Sequence, residues 1–231
     1  MKLDFLKKAI LFLCIGFVCT AMTMVEKPKI FLIGDSISVQ YWPYLQEYLS
    51  GIADIDRKQD DGQAEKNLDV PTGANGGDSR MVLEYLRAKY SDPEFRPNYM
   101  LLNCGLHDVK HDPKTGLIQV PEEDYRKNLQ EIVNLLEKNH TKLIWIRTTY
   151  VVDSIHNAKS SSIRRYAGDV IHYNAIADDV MAKHQIKSID LYSFSKQQGI
   201  EHIIDHVHYD LPVRALQAAY IAGFIENELK K

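Results

Sequence analysis

The chain has 231 residues, of which 45% are hydrophobic and 26% are charged, and its formal net charge is −3. This length and composition are sufficient for one domain with a sizeable core. The mildly acidic balance and the absence of a basic run argue against a nucleic-acid-binding protein, because phosphate backbones are bound mainly by clustered Lys and Arg.

Residues 1–22 have the features of a secretory signal peptide. An apolar run over 9–18 is too short to span a bilayer. Lysines precede the run and small residues follow it: Lys2, Lys7, Lys8, Thr20 and Ala21. We therefore predict export to the periplasm or the extracellular space, with no stable membrane span in the mature form. Lipid attachment at Cys19 is a minor alternative, because Gly16-Phe17-Val18 is a poor lipoprotein box.

Loss of this leader would change both the charge and the cysteine content. It carries three Lys and one Asp, so the remaining chain would have a net charge of −5. Cys14 and Cys19 lie in the leader and leave Cys104 alone, so no intrachain disulfide is expected. Cys104 follows an apolar run, where a packed thiol is expected rather than a reactive one.

From residue 29 to residue 231 the sequence predicts a single domain in which strands and helices alternate. The apolar runs typical of strands are Ile30–Ile33, Gly51–Asp56 (the weakest), Tyr99–Asn103, Leu143–Arg147 and Ile186–Asp190. The helical patterns are Tyr41–Leu49, Arg80–Tyr90, Pro121–Asn139, Arg164–His184 and Pro212–Leu229. This alternation predicts an α/β fold with a mostly parallel sheet of about five strands, covered by helices on both faces.

Long segments follow the predicted strands, whereas short turns lead from helices into strands. The long segments are 57–79, 106–120, 150–163 and 191–211. In a parallel sheet they all leave at the carboxyl edge, where ligands bind in open α/β folds. We therefore expect the functional groups of the chain to meet at this edge.

The first candidate group is Ser36, in the turn Gly34-Asp35-Ser36 between the first strand and its helix. Gly34 would permit a sharp turn and a close approach of substrate. Ser36 would lie at a helix N-terminus, where free N–H groups and the helix dipole favour a developing negative charge. The tripeptide predicts a nucleophilic serine, although it is also an ordinary turn sequence.

A nucleophilic serine needs a base and an acid that orients it. Asp205 and His208 lie three residues apart in a predicted turn before the last helix. The carboxylate would fix the imidazole tautomer, and the other ring nitrogen would face Ser36. The alternative is that Asp205 caps a turn and that His206 and His208 are solvated loop residues.

Donors for an oxyanion are also available at this edge. The Ser36 N–H is one, the glycine pair of Gly76-Gly77-Asp78-Ser79 offers a second, and Gly105-Leu106-His107-Asp108 offers a third. Each of these segments is also compatible with simple loop chemistry.

In this order, the segments resemble the blocks of the SGNH (GDSL-type) hydrolases over about residues 29–229. The resemblance implies a flavodoxin-like α/β/α sandwich and serine esterase chemistry without a metal or other cofactor. By position, Ser36 resembles the nucleophile, His208 the base and Asp205 the orienting acid. Gly77 resembles the second oxyanion donor.

One block departs from the family pattern. The family reads Gly-x-Asn-Asp and uses the Asn side chain as an oxyanion donor, whereas this chain has His107 at that place. A histidine N–H can also donate, so His107 is predicted as the third donor, with Asn103 as an alternative. Asp108 is expected to hold the loop rather than to react.

An exported acidic esterase with long polar loops favours a carbohydrate ester, so we predict removal of O-acetyl groups from a carbohydrate or polysaccharide. Tyr41, Trp42 and Tyr44 could stack on a sugar ring, although core packing is expected for at least one of them. A lipid or thioester hydrolase is the alternative within the family. The oligomeric state is not predicted.

Two further alternatives come from other classes of protein. A metallohydrolase could use the His-x-His-x-Asp run His206, His208 and Asp210, or the pair His107 and His111. A non-catalytic glycan-binding protein on the same scaffold is conceivable because of the histidine at position 107. The residues Ser36, Asp205 and His208 argue against this reading.

Overall fold

A computed structural model describes residues 26–59 and 61–231, so the predicted leader lies outside the described residues. The strands of this part of the chain are β1 (Lys29–Ile33), β2 (Asp54–Arg57), β3 (Tyr99–Leu102), β4 (Lys142–Ile146) and β5 (Lys187–Ile189). The α-helices are α1 (Ser36–Tyr48), α2 (Gln63–Lys66), α3 (Ser79–Lys89), α4 (Glu122–Lys138), α5 (Asp153–Lys159), α6 (Ala167–Lys183), α7 (Leu191–Gln197) and α8 (Leu211–Leu229).

The strands form one parallel sheet in the order β2-β1-β3-β4-β5. The register aligns Ile33 of β1 with Leu102 of β3, and Leu102 with Trp145 of β4. These strands therefore end at the same edge of the sheet. The predicted α/β fold with a mostly parallel, flavodoxin-like sheet is confirmed, and the sheet is parallel throughout.

The sheet forms the middle layer of the core. The apolar residues of β1, β3 and β4 are buried almost without alternation, as expected for strands covered on both faces. On one face α1 packs against α8, and α7 also contacts α8; α3, α4 and α6 pack in succession as the other helical group. In α4 one face is apolar and buried, which accounts for the 3.6-residue period of its sequence. The buried residues are Tyr125, Leu129, Ile132, Val133 and Leu136.

The helix boundaries differ from the predicted ones chiefly at α1. It begins at Ser36 rather than Tyr41, because the Asp35 side chain accepts a hydrogen bond from the Ile37 N–H at 2.9 Å and caps the helix. The short helices α2, α5 and α7 lie within segments predicted as long loops. With four to seven residues each, they are too short to show a clear apolar period.

Within the described residues, no helix combines the length and the hydrophobicity needed to cross a lipid bilayer. Cys104 is a buried free thiol, and burial holds its pKa well above the usual value, in agreement with the packed role expected for it.

Candidate active site

The turn between β1 and α1 places Ser36 as the first residue of the helix, with 4% of its surface exposed. Gly34 is needed here for space rather than for a left-handed backbone. A Cβ at this position would lie 2.8 Å from the Ser38 Cβ and 2.9 Å from its Oγ. The turn therefore presents the Ser36 hydroxyl and backbone N–H at the carboxyl edge of the sheet.

His208 connects Ser36 to Asp205. Its Nδ1 lies 2.7 Å from Asp205 Oδ2, and its Nε2 lies 2.8 Å from Ser36 Oγ. Because a carboxylate only accepts, Nδ1 carries the proton, and the Ser36 hydroxyl donates to Nε2. This is the arrangement in which an imidazole can remove the serine proton while the carboxylate stabilises the resulting imidazolium.

The loop that carries the acid and the base is held by its own backbone. Ile203 pairs with Tyr209, and the Ile204 N–H donates to the His208 carbonyl at 2.9 Å. Asp205 Oδ1 accepts from the backbone N–H groups of residues 207 and 208 at 2.8 and 2.9 Å. Asp205 therefore closes the turn with one oxygen and contacts His208 with the other. His208 is 1% exposed, so it is not a solvated loop residue.

Asp205 is held in its ionised form. Half-burial raises the pKa of its carboxyl, but the hydrogen bond and charge of His208 and the two backbone N–H donors oppose this, and the net pKa lies well below the usual range. The carboxylate is consequently available as an acceptor throughout the weakly acidic and neutral range.

Gly77 lies in a segment that runs beside the serine turn. The Gly76 N–H donates to the Gly34 carbonyl at 2.7 Å, and the Gly77 N–H donates to Asn75 Oδ1 at 3.0 Å. Gly77 has a φ of +74°, and a Cβ there would lie 2.6 Å from the Met81 Sδ. A glycine is thus required at this position, and its N–H would have to be shared between Asn75 and an oxyanion.

His107 is 3% exposed, and its ring nitrogens have no hydrogen-bond partner among the described residues. Burial holds its pKa well below the usual 6.5, and the charges of Lys110, Arg165 and His208 lower it further. The ring is therefore neutral near pH 7 and carries one N–H, which is the form that can donate to an oxyanion without titrating.

The prediction of Asn103 as an alternative oxyanion donor is wrong. Its Nδ2 donates to the Ile146 carbonyl at 2.9 Å and to Thr148 Oγ1 at 3.3 Å. Both amide hydrogens are used within the protein, because the side chain bridges the ends of β3 and β4.

A sequence profile of the family described as GDSL-like Lipase/Acylhydrolase matches residues 30–211, from β1 to the start of α8. The chain belongs to this family. A GDSL-like lipase/acylhydrolase is an ester-hydrolysing enzyme, and the matched range includes every residue of the candidate site.

Solved structures share the fold at low sequence identity. The lipase/acylhydrolase of Enterococcus faecalis has a TM-score of 0.63 at 16% identity, covering 87% of this chain and 96% of its own. An acetyl xylan esterase, AlAXEase, has a TM-score of 0.62 at 19% identity, covering 85% and 99%. The esterase EstA of a Pseudoalteromonas species has a TM-score of 0.62 at 15% identity, covering 89% and 100%. A search of curated protein sequences gives no significant match.

Asp108 fixes the loop of His107, as expected. Its Oδ1 accepts from the Ser79 N–H at 2.9 Å, at the start of α3, whereas Oδ2 has no partner among the described residues. Burial raises the pKa of Asp108 to about 7, and the charge of Asp78 adds to this effect. The link joins the loop of His107 to the segment of Gly77.

We expect Asp108→Asn to weaken the pH dependence of stability. The pKa of Asp108 is about 7 in the folded protein against the usual 3.8, so the folded state binds more protons between these values and stability falls as pH rises. Each unit of difference contributes on the order of 1.4 kcal/mol. Asparagine keeps an acceptor for the Ser79 N–H and cannot ionise.

Urea unfolding at about pH 4, 6 and 8 measures this effect as the difference in free energy of unfolding between the variant and the wild type. As pH rises, the free energy of unfolding of the variant should increase relative to that of the wild type. Parallel pH profiles for the two proteins would contradict the assignment.

A second prediction concerns His107. If its N–H stabilises the oxyanion, His107→Ala should lower kcat for ester hydrolysis by about 10²-fold. His107→Asn restores the donor of the family pattern and should retain more activity than the alanine variant. Steady-state kinetics of the three proteins measure this, and equal losses in the two variants would show that donation is not the function of this side chain.

Two of the residues proposed for a metal site, Asp210 and His111, have other partners in the structure. Asp210 caps α8, and its Oδ2 lies 2.7 Å from His202 Nδ1 rather than beside His206 and His208. The ring of His111 lies 2.8 Å from Asp169. The ligand atoms of Asp205, His206 and His208 lie within 4.8 Å of one another, so this cluster of described residues could hold an ion.

The structure also corrects the prediction that aromatic residues after Ser36 stack on a sugar ring. Tyr41 and Trp42 are 1% and 8% exposed and belong to the core, so they do not form a sugar-stacking surface. Tyr44 is partly buried and packs against the same core.

The sequence did not indicate Asn75, which accepts from the Gly77 N–H, or the role of Arg165, whose Nε donates to the Leu106 carbonyl at 2.6 Å. Arg165 lies 59 residues from Leu106, and no local pattern reports such a contact.

Proposed function

We propose that the protein is an exported serine esterase that removes O-acetyl groups from a carbohydrate or polysaccharide. The observation that carries the proposal is the hydrogen-bonded series from Asp205 through His208 to Ser36 at the start of α1. Export rests on the signal-like sequence of residues 1–22 and is part of the proposal.

In the proposed mechanism His208 takes the Ser36 proton as Ser36 Oγ attacks the ester carbonyl. The negative charge of the tetrahedral intermediate is stabilised by the Ser36 N–H, the Gly77 N–H and the neutral His107 ring. His208 then gives the proton to the leaving alcohol. A water molecule, deprotonated by His208, hydrolyses the acyl-enzyme and releases the acid.

Two observations support a small acyl group on a sugar. Ser36, His107 and His208 are each less than 5% exposed, so little of the reacting groups is accessible, which favours a small acyl group. One solved structure with the same fold is an acetyl xylan esterase, at 19% identity. The polar character of the loops, rather than any aromatic surface at Tyr41 and Trp42, then favours a carbohydrate as the alcohol.

A second candidate, hydrolysis of longer acyl esters of lipids or thioesters, is favoured by one feature. The segment that carries Asp205 and His208 also exposes large apolar side chains: Ile200, Ile204 and Leu211 are 57%, 54% and 61% exposed. Such a rim could accept an acyl chain.

The test is hydrolysis of matched 4-nitrophenyl esters of acetate and octanoate, followed by release of acetate from acetylated xylan. The proposed function predicts a higher kcat/KM for acetate, release of acetate from the glycan and no effect of a chelator. A preference for octanoate would favour the lipid reading. Loss of activity with chelator would favour the metal cluster, and glycan binding without turnover would favour a binding protein.

A further inference from the structure

Arg165 is a buried cation beside the candidate active site. It is 2% exposed, and its Nε donates to the carbonyl of Leu106, the residue before His107. Its Nη1 lies 2.7 Å from Nε2 of His156. Because a guanidinium only donates, His156 accepts with Nε2 and carries its proton on Nδ1. Nη2 of Arg165 has no acceptor among the described residues.

No carboxylate of the described part of the chain lies within 4.0 Å of the Arg165 guanidinium. Three carboxylates are close enough to favour its charge, but each has another partner. They are Asp69, 2.9 Å from His206; Asp205, 2.7 Å from His208; and Asp35, 2.9 Å from the Ile37 N–H. The cation is therefore held in place by neutral groups.

Lys110 is a second cation in the same region. Its Nζ donates to the backbone carbonyl of Asp69 at 3.2 Å, and it too has no carboxylate within 4.0 Å among the described residues. Burial, together with the charge of Arg165, lowers the pKa of Lys110 to about 8. A series of contacts links the two cations. Asp69 contacts both Lys110 and His206, and the His206 ring lies 4.8 Å from the ring of His156, the partner of Arg165.

Buried charges in proteins are normally paired, because removal of an ion from water is unfavourable unless an opposite charge compensates it. Arg165 is buried and Lys110 is partly buried, and neither forms a direct ion pair, because the nearby Asp69 carboxylate contacts His206 instead. A bound anion would therefore add the compensation that the protein leaves incomplete. Planar guanidinium and ammonium donors together suit a carboxylate.

We propose that Arg165 and Lys110 bind an anionic group of the substrate, so that the enzyme prefers esters that carry a carboxylate near the scissile bond. This deepens the proposed function and rests on it. The carboxylate can belong to the alcohol, as in an O-acetylated uronic acid, or to the acyl group, as in a dicarboxylic half-ester.

Two matched pairs of substrates test the proposal. The first pair is O-acetylated methyl glucoside and O-acetylated methyl glucuronide, and the second is 4-nitrophenyl valerate and 4-nitrophenyl hemisuccinate. A hydrogen bond to a charged group predicts a kcat/KM for the acidic member that is about tenfold higher or more in one pair. The proposal would be overturned if, in both pairs, kcat/KM were equal for the two members or higher for the neutral member.

Lys110→Met should reduce that preference by about tenfold, mainly through KM, while hydrolysis of the neutral esters changes little. Lys114→Met removes the same charge from an exposed position four residues away and should leave the preference unchanged. Arg165→Gln should have the same effect as Lys110→Met if it folds. Since Arg165 also supports Leu106 and His156, Lys110→Met is the decisive variant. An unchanged preference in it would overturn the proposal.

A binding measurement separates this inference from the proposed function. In Ser36→Ala, calorimetry with methyl glucuronide and methyl glucoside, and with succinate and butyramide, reports recognition without turnover. Tighter binding of the anionic member of either pair, lost with Lys110→Met, supports the anion site even if no ester is hydrolysed. No difference between the members of both pairs would overturn it.

Discussion

Replacement of Ser36 by alanine should lower kcat/KM for 4-nitrophenyl acetate by about 10⁴-fold or more. The substitution removes the atom that attacks the carbonyl and leaves His208 without the hydroxyl that lies 2.8 Å from its Nε2. Alanine removes only the hydroxyl oxygen of Ser36, so the melting temperature should stay within a few degrees of that of the wild type.

Ser38→Ala provides the matched control for this prediction. Ser38 lies two residues after Ser36 in the first turn of the same helix, and its Oγ donates to the Asp35 carbonyl at 2.6 Å. It should keep activity within about tenfold of the wild type, since it loses one local hydrogen bond only. Similar losses in the two variants would indicate damage to the turn rather than removal of a nucleophile.

Replacement of Asp205 by asparagine should lower kcat by about 10³- to 10⁴-fold. Oδ1 can still accept from the N–H groups of Val207 and His208, so the loop should keep its shape. The amide nitrogen would then face His208 Nδ1, which lies 2.7 Å from Oδ2 in the wild type. A donor at that place moves the ring proton to Nε2, and the ring can no longer accept the Ser36 proton.

Asp210→Asn is the matched control for Asp205→Asn. Asp210 caps α8 and pairs with His202, and it makes no contact with the serine or its base. This variant should retain kcat within a few-fold of the wild type. Full activity in Asp205→Asn, measured under the same conditions, would show that Asp205 only closes the turn.

Much of the fold could be predicted because its signals are local. The strands at 30–33 and 99–102 are short apolar runs, and the buried stripe of α4 repeats with the helical period. The order of strands and helices then brings Ser36 and the segment of Asp205 and His208 to one edge. These contacts follow from topology and from an Asp-x-x-His spacing in one turn.

The remainder could not be predicted, because it depends on contacts between distant residues. The sequence offers Asn103 as a donor, yet its amide donates to the Ile146 carbonyl on the neighbouring strand. Trp42 follows the serine closely, but the helical period carries it into the core. Arg165 meets the Leu106 carbonyl only in the folded chain. The sequence specifies the reacting groups more directly than their surroundings.

Covalent labelling tests most directly whether Ser36 is an activated nucleophile. The protein is treated with a fluorophosphonate, with and without chelator, and its mass and the modified peptide are determined by mass spectrometry. We expect one label per chain, located on Ser36, insensitive to chelator and absent from Ser36→Ala. An unlabelled Ser36 in a protein that still hydrolyses esters, or a label on another residue, would contradict the account.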